Sequence, residues 1–316
     1  MFTTELQDFG SGKKITISHK SGIRAEILPE YGAALNGLYI PTRNQKIENI
    51  IDGYLSDDEP QKTGTLYKGV FLFPFPNRLK DGQWKYKGKE LQFPINEPSR
   101  NNALHGILYN QKFEIIDLFS SSEFGSAHLR YNPIQIPQYY PFKYQIDIEF
   151  ILTESDGLTV KTQVQNLSDE AMPFGLGWHP YFRTGNPIDS IVLNMSDIKS
   201  LEVDSQMIPK GPSFTFRMFD FPNLIKETFL DTGFEILKPD KFEVQIFDED
   251  KKLKFNIWQH SNEDGFSYLQ VYTPPDRKSI AIEPMTSRAN ALQDNEGGIQ
   301  NLAPGGSQSY VWGVSF

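Results

Sequence analysis

Two of the five histidines in this sequence have neighbours that suit a reactive group. His105 precedes Gly106, and a glycine there allows a ligand or another backbone segment to approach closely. His179 lies in the aromatic, glycine-rich segment 174–182, where a titratable group is costly unless it is paired or used. The alternative for each is a structural imidazole in the core. We interpret the other histidines as structural or surface residues: His19, His128 and His260.

Glu283 is the carboxylate whose surroundings are most informative. It follows the apolar residues 280–282, which have the pattern of a strand, and it precedes Pro284. Side chains alternate between the faces of a strand, so Glu283 shares a face with Ala281. Because proline cannot donate to a ladder, we expect the strand to end at Pro284. The prediction is a carboxylate at a strand end that faces a site, and the alternative is an ordinary edge glutamate.

Further polar side chains stand beside apolar runs. Asn77 and Arg78 follow the largely apolar segment 71–76, and a guanidinium there needs carboxylate or hydroxyl partners. Asp231 lies in an aromatic frame and begins an Asp-Thr-Gly tripeptide. Aspartic-protease chemistry requires a second carboxylate that shares the proton. The sequence has no second copy of the tripeptide, so we exclude that function; a structural ion pair or a turn stays the alternative for each residue.

The composition excludes several classes of partner and site. The 316 residues include 40 acidic and 31 basic side chains, and the net charge of -9 disfavours nucleic acid and anionic membranes as partners. The absence of cysteine excludes disulfides, thiolate nucleophiles and cysteine-ligated zinc. We find no apolar run of membrane-spanning length and no secretory signal, so we expect no membrane association and a cytoplasmic protein.

The segments that must position these side chains have apolar residues mainly at every second position. This alternation predicts strand pairs in the segments 15–28, 83–93, 142–164 and 242–257. Helical periodicity is scarce, and Gly, Pro and Asp punctuate the strands. The pattern favours an all-β fold, an antiparallel sandwich or barrel, with one domain over residues 1–316. We also expect a short turn of helix near 221–229 and a loose segment over 1–12.

The residues above belong to short motifs that follow one another along the chain: Asn77-Arg78-Leu79, Asp81-Gly82, Leu104-His105-Gly106, His179-Pro180-Tyr181-Phe182, Asp231 and Glu283-Pro284-Met285-Thr286. This order resembles the aldose 1-epimerase, or galactose mutarotase-like, family. The segments 25–33 and 302–306 are similar to it as well. No single motif is specific, but so many in the right order are hard to reach by chance.

The resemblance implies a large antiparallel β-sandwich with a shallow, open sugar site on one sheet. It implies an isomerase that interconverts the α and β anomers of a free aldohexose, with Glu283 as general base and His179 as general acid. The implied sugar-binding residues are His105, Arg78, Asp231, Asn77 and Tyr181. No metal or other cofactor is implied, and we expect a monomer or homodimer. Residues 107–110 depart from the glycine-rich pattern usual in the galactose mutarotases, so the choice between glucose and galactose stays open.

These residue types suit the implied reaction. Opening a pyranose ring removes a proton from the anomeric hydroxyl and delivers a proton to the ring oxygen. With reference pKa values of about 4.3 and 6.5, glutamate is mostly ionised at neutral pH and histidine can carry a proton there. One such positioned transfer typically contributes about 10²–10⁴ in rate.

Other functions use some of the same residues. A sugar-phosphate epimerase requires additional cations, and Arg100 and Arg288 lie near His105 and Glu283 in the sequence. A non-catalytic sugar-binding module keeps the groove without needing the acid–base pair. A glycosidase uses two carboxylates, for which Glu283 and Asp231 are available, but it leaves both site histidines unexplained.

Overall fold

The computed structural model describes residues 1–62, 66–237, 240–261 and 265–316. The described residues form 28 strands, two one-turn α-helices and one 3₁₀ turn. The first fourteen strands are β1 (Phe2–Phe9), β2 (Gly12–His19), β3 (Arg24–Leu28), β4 (Ala34–Pro41), β5 (Ile47–Asn49), β6 (Phe71–Leu72), β7 (Arg78–Lys80), β8 (Gln83–Tyr86), β9 (Lys89–Gln92), β10 (Asn102–Leu104), β11 (Glu114–Ser120), β12 (Phe124–Tyr131), β13 (Tyr144–Thr153) and β14 (Gly157–Asn166). The next fourteen are β15 (Met172–Phe174), β16 (Gly177–Trp178), β17 (Tyr181–Phe182), β18 (Val192–Asn194), β19 (Ile198–Val203), β20 (Pro209–Phe216), β21 (Asn223–Leu224), β22 (Asp231–Ile236), β23 (Lys241–Asp248), β24 (Leu253–His260), β25 (Tyr268–Tyr272), β26 (Ile280–Met285), β27 (Gln300–Leu302) and β28 (Ser307–Ser315). The helical turns are α1 (Glu59–Lys62), the 3₁₀ turn Ile188–Ser190 and α2 (Ala291–Asp294).

Two large antiparallel sheets and one five-stranded sheet contain most of these strands, and the others form three two-stranded sheets. One large sheet has nine strands in the order β11-β12-β13-β14-β28-β24-β23-β18-β21. The other has the order β20-β19-β22-β25-β26-β16-β6, and β17 also pairs with β26. Strands β1 to β5 form a five-stranded sheet in chain order. The all-β prediction is therefore confirmed, and the site described below lies on the sheet that contains β26.

The strand pairs follow from the alternation that the sequence contains. Every second residue of β13 is buried, so one face of that strand packs into the core while the other is partly solvated. The chain reverses before Gly157, which takes a φ of 77° that glycine adopts without a Cβ penalty. The pairs predicted at 15–28, 83–93, 142–164 and 242–257 are present as β2–β3, β8–β9, β13–β14 and β23–β24.

Large aromatic side chains fill the space between the two large sheets. Trp178 of β16 stacks on Trp312 of β28 with ring centroids 3.5 Å apart. Phe182 of β17 packs against Phe255 of β24 with centroids at 5.7 Å. Each pair joins one large sheet to the other, and all four residues are essentially inaccessible to solvent. The predicted sandwich is confirmed, and burial of this aromatic surface is the main force that holds its layers together.

Two local predictions were wrong. Within the segment 221–229, Asn223 and Leu224 form the short edge strand β21, paired with β18, and no helical turn is present. The flanking Phe221 and Phe229 are exposed, so the apolar residues that suggested a helix do not pack on one face. The segment 1–12 contains β1, which pairs with β2 along its full length.

Strand β26 also differs from the prediction, because it continues through Pro284 to Met285. Leu269 of β25 lies opposite Pro284, so the ladder with β25 does not end at the proline. On its other side, β26 pairs with β16 at Met285 and with β17 at Ile280 and Ala281. The proline lies at the break between β16 and β17, where its missing N–H removes no ladder bond.

None of the helices formed by the described residues is long and apolar enough to cross a membrane.

Candidate functional site

The break between β16 and β17 places His179 opposite Glu283. Both short strands pair with β26 in the same register, and that register aligns the intervening residue His179 with Glu283. The Nε2 atom of His179 lies 3.4 Å from Oε1 of Glu283. The backbone of His179 instead forms its hydrogen bonds on the side away from β26. Its N–H donates to the Val70 carbonyl, and its carbonyl accepts from the Gly69 N–H. Two strands thus fix an imidazole and a carboxyl in contact.

Neighbouring strands continue the same face of the sheet. Side chains directly opposite each other on paired strands share a face. Gln270 of β25 lies opposite Glu283, while Tyr272 lies opposite both Asp231 of β22 and Ala281 of β26. We call the following side chains the site floor: Asp231, Gln270, Tyr272, Glu283, His179 and Tyr181.

Loops that carry left-handed residues build the opposite wall. Asn77 has a φ of 57° and His105 a φ of 64°, conformations that cost non-glycine residues energy. The backbone N–H of Asn77 donates to Nδ1 of His105 at 3.1 Å, and the N–H of His105 donates to the Asn77 carbonyl at 2.8 Å. Because Nδ1 accepts, the neutral imidazole carries its proton on Nε2 and presents a donor.

A chain of amides links the wall to the floor. The Arg78 guanidinium donates to Oδ1 of Asn77 at 3.4 Å, and Nδ2 of Asn77 donates to Oε1 of Gln270 at 3.1 Å. Nε2 of Gln270 then donates to Oδ1 of Asp231 at 2.8 Å. An arginine at one end and a carboxylate at the other fix the direction of every donor in the chain. The side chains are therefore oriented before any ligand enters.

Glu97 binds the guanidinium group of Arg78 at one side of the cavity. Nε of Arg78 donates to Glu97 Oε2 at 3.0 Å and its NH2 donates to Oε1 at 3.0 Å, which is a bidentate contact. Arg100 and Asn102 donate to the same carboxylate. Burial opposes ionisation, but the hydrogen bonds from Arg78 and Asn102 prevail and hold the pKa of Glu97 below its ordinary value.

Aromatic rings pack around both site histidines. The Tyr67 ring meets His105 edge to face with centroids 4.5 Å apart. His105 meets His179 in the same manner at 5.1 Å, and His179 stacks on Tyr181 at 5.1 Å. These rings exclude water from the histidines and restrict their rotation. Each of the two histidine residues is consequently only 5% exposed, although an open cavity lies beside them.

All seven residues predicted as site residues line one open cavity of about 490 Å³: Asn77, Arg78, His105, His179, Tyr181, Asp231 and Glu283. Sequence reasoning missed several other lining residues: Tyr67, Asn96, Glu97, Phe229, Gln270 and Tyr272. Glu97 and Gln270 had no motif to mark them. The alternation of Tyr268–Tyr272 was the available signal for Gln270, because it places that polar residue on one face with two tyrosines.

The two arginines considered as phosphate-binding residues, Arg100 and Arg288, each form an ion pair with a carboxylate. Arg288 does not line this cavity, and its guanidinium contacts Asp294 at 2.9 Å. Arg100 does line the cavity, but it pairs with Glu97, as Arg78 does. Among the described lining residues, two arginines therefore face three carboxyl groups. No group of three or more His, Asp or Glu side chains suited to a metal ion occurs in the described part of the chain.

Burial changes the protonation expected from reference pKa values. Burial raises the pKa of Glu283 well above its ordinary value, and the Asp231 carboxylate raises it further. Burial lowers the pKa of His179 to about 4 and also lowers the pKa of His105. Both pKa shifts run against the protonation states that the reference values suggest, because the site removes both groups from water.

Comparisons with known proteins agree with this architecture. Residues 13–311 match the model of the family described as Aldose 1-epimerase. A galactose mutarotase-like protein from Clostridium acetobutylicum superposes with a TM-score of 0.86 at 24% identity, covering 99% of this chain and 98% of that chain. The galactose 1-epimerase from Lactobacillus acidophilus gives a TM-score of 0.81 at 17% identity, covering 100% and 98%. These two likenesses establish the fold.

Sequence relatives extend the comparison. The protein YihR of Escherichia coli is 28% identical over 241 residues, which cover 74% of each chain. A probable aldose 1-epimerase from Arthroderma benhamiae is 26% identical over 219 residues, covering 60% of this chain and 47% of the relative. The family match spans nearly the whole chain, from the second strand to the last. This protein therefore belongs to the aldose 1-epimerase family.

Proposed function

We propose that this protein is a mutarotase that interconverts the α and β anomers of a free aldohexose. The observation that carries the proposal is the contact between Glu283 and His179 on the floor of an open cavity. A carboxyl group and an imidazole at this distance supply both proton transfers that ring opening requires. The surrounding amides and charges are oriented and suit the hydroxyl groups of a sugar.

The pair supplies one proton and one vacant acceptor at the same time. Both pKa shifts favour neutral forms, so Glu283 and His179 together hold one acidic proton over a wide range of pH. Transfer of that proton across their contact produces a carboxylate and an imidazolium. Sugar hydroxyls that donate to the carboxylate favour this form. Glu283 then takes the proton of the anomeric hydroxyl, and His179 protonates the ring oxygen.

The remaining steps need no further chemical group. The bond between the first two carbons rotates in the open-chain sugar, and ring closure reverses both proton transfers. We assign His105, through its Nε2–H, and Arg78 as donors to sugar oxygens. Asp231 accepts from sugar hydroxyls, and we propose Asn77 and Tyr181 as further lining residues.

The charges favour a neutral sugar over a phosphorylated one. Glu97 already binds the guanidinium groups of Arg78 and Arg100, so neither is free to neutralise a phosphate. Asp231 adds a negative charge to the same cavity. An anionic substrate has to enter against these carboxylates. We therefore propose a free aldohexose, glucose or galactose, as the substrate.

Polarimetry of freshly dissolved α-glucose and α-galactose tests the proposal. We expect the purified protein to accelerate the decay of optical rotation for at least one sugar, and we expect Glu283→Gln to abolish the acceleration. The spontaneous rate in the same buffer is the blank. No acceleration with either sugar, by a protein with a native circular dichroism spectrum, would refute the proposed substrates; hexose 6-phosphates would then be measured next.

A further inference from the structure

Tyr67 lies beside both histidines of the cavity. Its ring contacts His105 edge to face, lies 6.2 Å from the ring of His179 and packs on Tyr109 at 4.9 Å. The side chain lines the cavity although the residue is only 4% exposed. Its backbone has a φ of 52°, which is rare for a bulky residue and has to be stabilised by the surroundings.

The hydrogen bonds of Asn96 decide which way the Tyr67 hydroxyl points. The backbone N–H of Leu104 donates to Oδ1 of Asn96 at 2.6 Å, which identifies the oxygen of that amide. The amino group of Asn96 then donates to the Leu104 carbonyl at 3.0 Å and to the Tyr67 hydroxyl at 3.3 Å. Both amino hydrogens are used. Asn96 is therefore a donor to Tyr67 and cannot accept from it.

The Tyr67 hydroxyl consequently keeps its own proton available. No other described residue makes a hydrogen bond with this oxygen, so the proton has no protein acceptor within the described part of the chain. Burial raises the pKa of Tyr67, and the neighbouring Tyr109 and Tyr31 raise it further. The phenol thus stays protonated at neutral pH and acts as a donor.

We propose that Tyr67 is a further substrate-binding residue, whose hydroxyl donates a hydrogen bond to an oxygen atom of the sugar. The proposal rests on the proposed function, because it takes a sugar as the occupant of this cavity. Asn96 acts through Tyr67 as a positioning residue. A partly buried donor directed at a neutral hydroxyl adds to affinity, and it also selects against a ligand that lacks the matching oxygen.

The first test compares Tyr67→Phe with Tyr109→Phe in the polarimetric assay. Tyr67→Phe keeps the ring against His105 and removes only the hydroxyl, and we expect kcat/KM to fall roughly three- to tenfold. Tyr109→Phe removes a hydroxyl from the same aromatic group outside the cavity lining, and we expect no change. Equal activity of Tyr67→Phe and wild type, or an equal loss in both variants, overturns the proposal.

Deoxy sugars identify the oxygen that Tyr67 contacts. If the hydroxyl binds one ring substituent, the Tyr67→Phe loss disappears for the analogue that lacks that substituent and persists for the others. If it binds the anomeric or ring oxygen, the loss persists for every analogue and falls mainly on kcat. Inactivity of the wild type towards all free aldoses refutes the proposed function instead, which separates that failure from a failure at Tyr67.

A second variant tests the role of Asn96. Asn96→Asp replaces the donor by an acceptor, so the Tyr67 hydroxyl turns to the new carboxylate and leaves the sugar. Because Asn96→Asp also removes the hydrogen bond to the Leu104 carbonyl, we expect it to lose at least as much activity as Tyr67→Phe, and we expect Tyr67→Phe to cause no further loss in the Asn96→Asp background. Losses that multiply in the double variant would show independent roles and overturn the hydrogen-bond assignment.

Discussion

Glu283 and His179 face each other across a gap in backbone pairing, and their side chains meet at 3.4 Å. The residues on either side of His179 belong to two short strands that share one register with β26. The backbone of His179 is therefore bonded away from β26 while its ring remains opposite the carboxyl group. This arrangement produces a close acid–base contact that is only 2% exposed at Glu283 and 5% at His179.

Loss of either partner is expected to abolish catalysis while the fold is retained. Glu283→Gln and His179→Gln keep similar shapes and remove one proton-transfer group each. We expect each to lower kcat by about 10²–10⁴, the usual contribution of such a group. His128→Gln is the matched control, because His128 pairs with Asp147 on β12 and β13, away from the cavity. Wild-type rates in either site variant would contradict the assignment.

The pH dependence of kcat/KM is expected to be broad. The Glu283–His179 pair gains a second proton only as pH falls towards about 4, the pKa of His179. It loses its last proton only above the raised pKa of Glu283. We therefore expect a bell whose acid limb lies near 4 and little change from about pH 5.5 to 7, where an ordinary imidazole would titrate. A limb centred near 6.5 would count against the coupled pair.

Asp231→Asn provides an internal check of the same profile. The Asp231 carboxylate raises the pKa of Glu283, so its neutralisation lowers that pKa and moves the alkaline limb to lower pH. The acid limb is expected to stay in place. The position of each limb is read from kcat/KM across the range, so a general loss of affinity does not disguise the shift. An unmoved alkaline limb would show that Asp231 does not influence Glu283.

Glu97→Gln is expected to make the cavity more tolerant of anionic sugars. The variant keeps hydrogen-bond acceptance but leaves Arg78 and Arg100 without their shared counter-charge. Competitive inhibition of mutarotation by a hexose 6-phosphate should strengthen by roughly three- to tenfold at low salt, which is typical of one partly exposed charge. Glu90→Gln, which removes an exposed partner of Lys85, serves as the control. Unchanged inhibition would contradict this account of Glu97.

Trp312→Ala is expected to destabilise the fold without altering substrate affinity. Trp312 is fully buried and stacks on Trp178 between the two large sheets, on the side away from the cavity. Replacement of a buried aromatic by alanine typically costs about 3–5 kcal/mol. Urea unfolding measures this loss, while KM should stay at the wild-type value. Phe221→Ala is the matched control, since Phe221 is 82% exposed and should change stability little.

Most of the fold follows from local patterns in the sequence. Buried and more exposed residues alternate along all of β13 and most of β14, so the hairpin is readable from these residues alone. Strand β1 was not predicted because most of its residues are exposed and its alternation is weak. Its pairing with β2, and not its own sequence, makes it a strand. The single domain over residues 1–316, the cytoplasmic location and the monomeric or dimeric state stay predictions.

The site is less readable, because contacts between distant residues define it. His179 and Glu283 were chosen for their local surroundings, but their opposition depends on a register between segments about 100 residues apart. Gln270 is a neutral amide in an ordinary strand, and its role in the chain from Arg78 to Asp231 exists only once three elements have assembled. Glu97 lacks any motif and becomes significant only through Arg78.

The position of β26 has a consequence for the thermal inactivation of the protein. All six residues of the strand are buried, and it has neighbours on both sides. Amides in such a strand exchange with solvent mainly when the whole molecule opens, because local fluctuations seldom reach them. The carboxyl group of Glu283 is thus carried by one of the last parts of the chain to unfold. If heating removes activity before global unfolding, the change should therefore lie in the loops that carry Asn77 and His105, and not in β26.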